Sequence, residues 1–530
     1  MIYSENTKKA LYLLNFVTMK KKVTAEGIIV SLNPILVAEH MPDENTTLVA
    51  LLHPVIKSGV YTITDLEKME FPEDAMYGLK IIFWDKSIPY KEYLQRIKTC
   101  PIAMVVKLAE VNQIRQTLGM DDKNYWRYLR VQSELEEKFS VPFRARTDVE
   151  QAKAKIYRNR RWRDRCRGVM IGGAIGDALG YPVTNLSLDE IREKCGEEGI
   201  TEYILHDGKA LISSVTQSGM FTANGILRAW TSFQTKGFNA VEDDHIYYAY
   251  KEMLDWQYGK KLNYKVSWVS NISEMGQMRL PDMETINALE YGRCGSLTKS
   301  YNSYQGCGGM VRVAPIALYH KNDDPTRDCI KFVAQRGASV ASITHGDPLG
   351  YLPAAMLTHI ISRLIFGGST TGETLNSILH ETKKHLFELF GDSESLRQLY
   401  ATVDRSLSLA ANDWCDATNI ARIGMGYRAD EILGIALYCC VKYPADFDKA
   451  IITATNHDGD SSASAAVTGM IMGAMVGYEE INQRWKDTLE LHDVLLELAD
   501  DLTDECQISK HSSYQDEKWK NKYADCTFRM

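Results

Sequence analysis

The chain of 530 residues contains eleven cysteines but no C-x-x-C pair, and the count is odd. Scattered single cysteines exclude a disulfide framework and predict reduced, mostly buried thiols. There is no excess of basic charge: the net charge is −8, which argues against a general nucleic-acid binder that must neutralise phosphates. The N-terminus lacks the basic start and apolar stretch of a signal peptide. The apolar window over residues 463–477 is shorter than the ~18–20 residues of a membrane span. The expectation is a cytoplasmic protein with no membrane and no nucleic-acid partner. Hydrophobic content of 45% and charged content of 25% fit a globular protein, and the length predicts two or three domains.

Residues 1–150 mix short apolar or β-branched runs of strand length (27–32, 47–52, 79–84 and 102–106) with helical patterns over 90–97 and 107–139. Together these predict a small N-terminal α/β module. No catalytic motif stands out in it; recognition of a protein partner is one reading of its role, and covering the cleft of the following domain or bringing a target to it are others. Residues 151–167 are strongly basic and read as a solvated helix or linker, with phosphate holding as the alternative. Beyond them strand signals are scarce. Ser187 and Glu190 have the spacing of a capping box, and 328–342, 349–365 and 430–441 carry apolar residues at helical spacing. The prediction is a large all-α domain over 168–505, followed by a polar tail over 506–530.

The densest chemistry lies in residues 456–477, N-H-D-G-D-S-S-A-S-A-A-V-T-G-M-I-M-G-A-M-V-G. Gly469, Gly473 and Gly477 recur every four positions, so they share a helix face and let another backbone approach. Asp460 stands where a polar turn becomes that helix. The segment resembles the late metal motif of the ADP-ribosylglycohydrolase family, N-x-G-G-D-[ST]-D-[ST]. Four further segments carry the same resemblance in the family's order. These are R-C-R-G-V-M-I-G-G-A-I-G-D-A-L-G (165–180), L-I-S-S-V-T-Q-S-G-M-F-T-A-N-G (211–225), G-C-G-G-M-V-R-V-A-P (306–315) and S-I-T-H-G-D-P (342–348), with 429–441 completing the set.

The resemblance implies an all-α domain, a pair of magnesium ions held by carboxylates, and hydrolysis of ADP-ribosyl bonds. Carried over residue by residue, the family's metal positions fall on Thr184, Ser213, Ser214, Val215, Asp460, Ser462 and Ala463. Of the five carboxylates it implies, only Asp460 remains, with Ser213 as a neutral ligand. Two magnesium ions bring four positive charges, and hard cations demand oxygen donors that compensate them. Magnesium binding is therefore expected to be weak or absent. Asp177 matches no ligand position and is expected to accept backbone hydrogen bonds at a turn. The acidic runs His206-Asp207 and 242–245 read as solvated faces.

What persists is the loop Gly306, Cys307, Gly308, Gly309 with Met310, whose amides can face a diphosphate. His457 is expected to contact a ribose or to cap its turn, Cys307 to be a buried thiol, His345 a structural histidine, and Arg312 an ion-pair partner. The leading reading is a catalytically impaired ADP-ribosylglycohydrolase-like protein that binds ADP-ribose, a related nucleotide or an ADP-ribosylated protein. The alternatives are an active hydrolase using displaced ligands, and a closed-pocket scaffold acting through its N-terminal module.

Overall fold

The computed structural model describes residues 4–20, 34–35, 37–39, 41, 43–83, 87–117, 131, 135, 148–236, 242–260, 267–320, 327–367, 375–510 and 514–524. The chain divides into two compact units, one of 1–145 with 507–516 and one of 146–506 with 517–530.

Among the first unit's described residues every regular element is a helix, which corrects the expected α/β module. Residues 47–52 lie inside the helix Glu44–Lys57, most of 79–84 inside Glu73–Ile82, and 102–106 inside Pro101–Thr117; residues 27–32 lie outside the described residues. A short apolar run has no period of its own, so length and flanks decide its conformation. Here the flanks favour helix. Asp43 caps Glu44–Lys57 in a reciprocal box with Thr46, and Pro101 stands at the first position of its helix, where its missing amide costs nothing. Thr46 to Leu52 are buried without interruption, which is why the run lacks the alternation of an amphipathic helix. The predicted helix over 90–97 is Tyr90–Thr99. That over 107–139 is helical to Thr117, and most of its remainder lies outside the described residues.

The second unit is the expected all-α domain. Its helices include Arg327–Ser342, Pro348–Phe366 and Ala429–Lys442 at the predicted places, and Ser187 and Glu190 form the predicted capping box. Pro348–Phe366 is apolar and long enough to cross a membrane, yet most of it is buried inside the fold, as in a core helix. The basic stretch is the first half of a continuous helix, Asp148–Gly180. From Arg163 onward its cations serve the fold. Arg163 pairs with Asp504, Arg165 donates to the Leu364 carbonyl, and Arg167 grips Asp500 with two bonds of 2.7 Å.

The centre of the domain is a seam between this opening helix and the late helix Ser461–Val476. Gly168, Gly172, Gly176 and Gly180 face Gly473, Gly469, Ala465 and Ser461 in antiparallel order, and a Cβ at any of these glycines would collide with the opposite backbone. A four-residue spacing keeps them on one helix face, so the two backbones pack directly.

The tail is more ordered than a polar tail would be. Trp519 donates to Thr231 at 2.9 Å, Tyr523 is buried, and Lys522 pairs with Glu497 at 2.8 Å and with Asp501. Two aromatic rings supply enough apolar area to hold a short helical segment against the domain.

Candidate functional site

Asp177 is placed by the glycine seam, one residue after Gly176. Wholly buried, its carboxylate accepts five hydrogen bonds. Three come from the start of the helix Ser214–Lys236: the amides of Ser213 and Thr216 at 2.9 and 3.1 Å and the Thr216 hydroxyl at 2.6 Å. The other two are the hydroxyls of Ser213 and Ser462, each 2.6 Å from Oδ1. A carboxylate at a helix start satisfies orphan amides and meets the positive end of the helix dipole. Asp177 is thus a structural acceptor as expected, but it stands within a helix and not at a turn.

This acceptor draws together the positions that the family resemblance marks. Ser213 Oγ and Ser462 Oγ are 3.3 Å apart. Thr184 Oγ1 accepts from the Ser462 amide at 3.0 Å and donates to the Gly180 carbonyl. The Val215 amide donates to Ser213 Oγ at 3.2 Å. Ser214 turns away and donates to the Leu280 carbonyl. Asp460 caps Ser461–Val476, accepting from the Ala463 amide at 2.9 Å. It is half-buried, and burial pushes its carboxyl up to about 6. The hydroxyls of Thr184, Ser213, Ser214 and Ser462 all donate to protein acceptors, and Asp460 is the one carboxylate at a position the family resemblance marks. These donors do not fit a pair of hard dications, whose charge would stand uncompensated in a partly dry cleft.

The glycine loop follows beside it. Cys307–Gly309 form a single 3-10 turn whose Cys307 carbonyl takes the amides of Met310 and Val311 at 2.8 and 3.0 Å. Met310 is fully buried beneath the loop and is core, not lining. The Gly306 amide donates to Glu284 Oε2 at 2.8 Å. A Cβ on Gly308 would collide with the carboxylate of Asp282, and one on Gly309 would meet His345 Nδ1 at 3.0 Å. The loop is therefore seated on two acidic side chains and a histidine. Cys307 Sγ donates to Asp460 Oδ2 at 3.6 Å. Cys307 is half-buried and not the buried thiol expected; burial first, then the neighbouring Asp460 and Asp282, push this thiol well above its ordinary range, which disfavours the nucleophilic thiolate.

His457 is 3% exposed, its Nδ1 lies 2.7 Å from the Asp458 carbonyl, and its Nε2 has no hydrogen-bond partner. Burial lowers its pKa. Of the two expected roles, holding the turn fits this placement. Arg312 is not an ion-pair partner among the described residues. It bonds the hydroxyls of Thr285, at 3.2 Å, and Thr344, and lies 4.1 Å from the Tyr250 ring centre. Within the acidic run 242–245 Asp244 is exposed, but Glu242 and Asp243 are not part of a solvated face: they pair with Arg336 at 3.0 and 2.6 Å, and Glu242 also accepts from Trp230 at 2.8 Å. A half-buried guanidinium compensates both charges, which an acidic run read alone does not reveal.

Asp282 and Glu284 had no expected role. In sequence Asp282 is an ordinary helix cap, accepting from the amides of Glu284 and Thr285, and nothing links it to the distant T-H-G-D segment. Beside the loop a pocket of about 440 Å³, including its open mouth, is lined by Tyr291, Arg293, Tyr301 and Tyr304 among others. The Arg293 guanidinium lies 5.6 and 5.4 Å from the ring centres of Tyr291 and Tyr301, and Tyr304 is 6.3 Å from the His345 ring.

Residues 158–511 match the family model for ADP-ribosylglycohydrolase. A protein of Archaeoglobus fulgidus is 24% identical over 341 residues, covering 63% of this chain and 95% of that relative. ADP-ribosylhydrolase ARH3 of Mus musculus is 25% identical over 206 residues and that of Homo sapiens 26% over 207, each covering 35% of this chain. The chain spans about half the length of these two, 53% and 54%. A solved ADP-ribosylglycohydrolase-related protein complex is 20% identical, covers 65% of this chain and 99% of its own, and has a TM-score of 0.43.

Proposed function

Because this chain belongs to the ADP-ribosylglycohydrolase family across residues 158–511, we propose that it is a catalytically impaired member. In this reading it recognises an ADP-ribose-like ligand, free or attached to a protein, in a reducing compartment such as the cytoplasm. The observation that carries the reading is the network around Asp177. Metal-assisted hydrolysis needs a cation to orient the substrate and to lower the pKa of water. At the family's metal positions stand Thr184, Ser214, Val215 and Ser462, with Ser213 and Ser462 bonded inward to one buried carboxylate. No side chain there is free to act as a general base except Asp460, which already caps a helix and accepts from Cys307.

Recognition is supported by the neighbouring pocket. The exposed Tyr291 and the half-buried Tyr301 beside Arg293 offer a planar base π-faces and a cation. Tyr291 is 61% exposed, more surface than a core tyrosine leaves, which suits a stacking platform.

Calorimetry with ADP-ribose, run in EDTA and in its absence, should give saturable heat that Arg293→Ala with Tyr301→Ala removes while the circular dichroism spectrum is kept. The same protein should release no ADP-ribose from ADP-ribosylated arginine or serine substrates with added magnesium. Magnesium-dependent release would overturn the impaired reading. Absence of heat at millimolar ADP-ribose under both conditions would favour a scaffold acting through the N-terminal unit.

A further inference from the structure

We infer that Asp282, Glu284 and His345 form a binding site for one divalent transition-metal ion, of which zinc is the best match. The site uses none of the metal positions that the family resemblance implies and does not depend on whether a nucleotide binds. One ligand atom from each residue falls within 4.8 Å of the other two. His345 Nε2 stands 3.3 Å from Glu284 Oε2 and 3.6 Å from Asp282 Oδ2. Zinc bound at about 2.0–2.1 Å in tetrahedral geometry separates its donors by roughly 3.3–3.4 Å. One imidazole with two carboxylates is a donor set that zinc accepts and magnesium does not favour.

The histidine is the observation that points to a ligand. It is wholly buried, yet its Nε2 makes no hydrogen bond. Its other nitrogen is 2.8 Å from the Thr344 hydroxyl, which Arg312 also bonds. Such outer partners fix the ring and aim the free nitrogen, as they do for metal-binding histidines. A buried polar atom without a partner carries the full desolvation penalty of that group, and a cation between it and the two carboxylates removes that penalty.

Charge and space agree. Among the described residues neither Asp282 nor Glu284 pairs with Lys or Arg, so two negative charges with a neutral imidazole would balance a dication. The Gly306 amide fixes Glu284, and the Thr285 amide fixes Asp282. Gly308 leaves room for the Asp282 carboxylate, which any side chain there would displace. The Asp282 and Glu284 side chains are 30% and 35% exposed, which gives an ion access and leaves a fourth position for water or a ligand oxygen.

The test uses the full chain, stripped with EDTA, desalted and titrated with zinc chloride by calorimetry. One equivalent should bind with micromolar or tighter affinity. Glu284→Gln and Asp282→Asn keep the bonds to Gly306 and Thr285, so they should fold while weakening zinc at least about tenfold. Cobalt(II) should give a visible d–d spectrum that His345→Gln abolishes. Absence of saturable binding below about 100 µM, or binding that Glu284→Gln and Asp282→Asn both leave unchanged, would overturn the site.

Discussion

Ser462 donates its hydroxyl hydrogen to Asp177 at 2.6 Å, so a position where the family resemblance implies a carboxylate is bonded inward to a carboxylate that matches none of the implied ligand positions. Hydrogen bonds to a charged group contribute about 1.5–3 kcal/mol and ordinary ones about 1 kcal/mol. Asp177→Asn should destabilise the domain by roughly 3 kcal/mol, and Ser462→Ala by about 1–2 kcal/mol. In the Asp177→Asn background the Ser462→Ala cost should shrink, because the two share one interaction. Urea unfolding of both single variants and the double variant measures this; full additivity would mean that Asp177 does not organise the network.

The glycine seam gives a prediction of sign. Alanine is a better helix former than glycine by about 1 kcal/mol, so Gly→Ala in a helix normally stabilises. At Gly172 the new Cβ would meet the Gly469 carbonyl, and overpacking of this kind costs about 1–3 kcal/mol or more. Gly172→Ala should therefore destabilise. Gly219 also lies within a helix, Ser214–Lys236, but nothing stands within 4 Å of its Cβ position. Gly219→Ala should raise the melting temperature, and a matching fall in both variants would refute the seam as the cause.

Half of that seam was legible in the sequence. Gly469, Gly473 and Gly477 announce a close approach by their spacing, and Gly168, Gly172, Gly176 and Gly180 carry the same period. Which helix meets which is a matter of tertiary pairing, and period alone does not encode it. The last glycine departs from the pattern: Gly477 ends its helix at φ 89° against Asp164. The N-terminal runs misled for a different reason. Leu48 to Leu52 are buried on every side, so no polar face exposes the helical period. Asp282 and Glu284 were invisible because a helix cap explains Asp282 completely, and only folding brings His345 to it. By contrast, the absence of a carboxylate at Thr184, Ser214, Val215 and Ser462, where the family resemblance implies one, was plain from residue identity, since a hydroxyl or a valine cannot supply that charge.

A buried histidine pair sets a pH dependence. His359 is wholly buried, with Nε2 2.9 Å from His385 Nδ1 and Nδ1 2.8 Å from the Thr382 hydroxyl. Burial, then the charges of His385 and Arg363, lower its pKa to about 3. Its unfolded value is about 6.5. Between these values the unfolded chain binds a proton that the native chain does not, so stability falls as pH drops below about 6.5. At about 1.4 kcal/mol per pH unit, this one group should cost about 2 kcal/mol between pH 7 and pH 5. His359→Gln should lose less stability than wild type over that interval. Equal losses in urea unfolding at the two pH values would show that His359 titrates normally.

Supplying the acidic set that the family resemblance implies tests the proposal that these carboxylates are what a magnesium pair would require here. In Thr184→Glu with Ser214→Asp, Val215→Asp and Ser462→Asp, the last change puts a carboxylate where a hydroxyl now donates to Asp177. Two carboxylates at hydrogen-bond distance repel unless a proton or a cation lies between them. Without magnesium the quadruple variant should therefore be less stable than wild type. Magnesium should restore part of that loss, by about 2.7 kcal/mol at a hundredfold excess over Kd, while wild type, with Asp460 as its one carboxylate at a family position, shows no shift. Melting temperatures across a magnesium titration, reversed with EDTA, separate these outcomes. Turnover is the more demanding readout, because Ser214 now bonds the Leu280 carbonyl and Thr184 supports the Ser462 amide, so restored charge must also find its orientation. A magnesium shift in wild type equal to that of the variant would mean that the ligands lie elsewhere, and the impaired reading would fall with it.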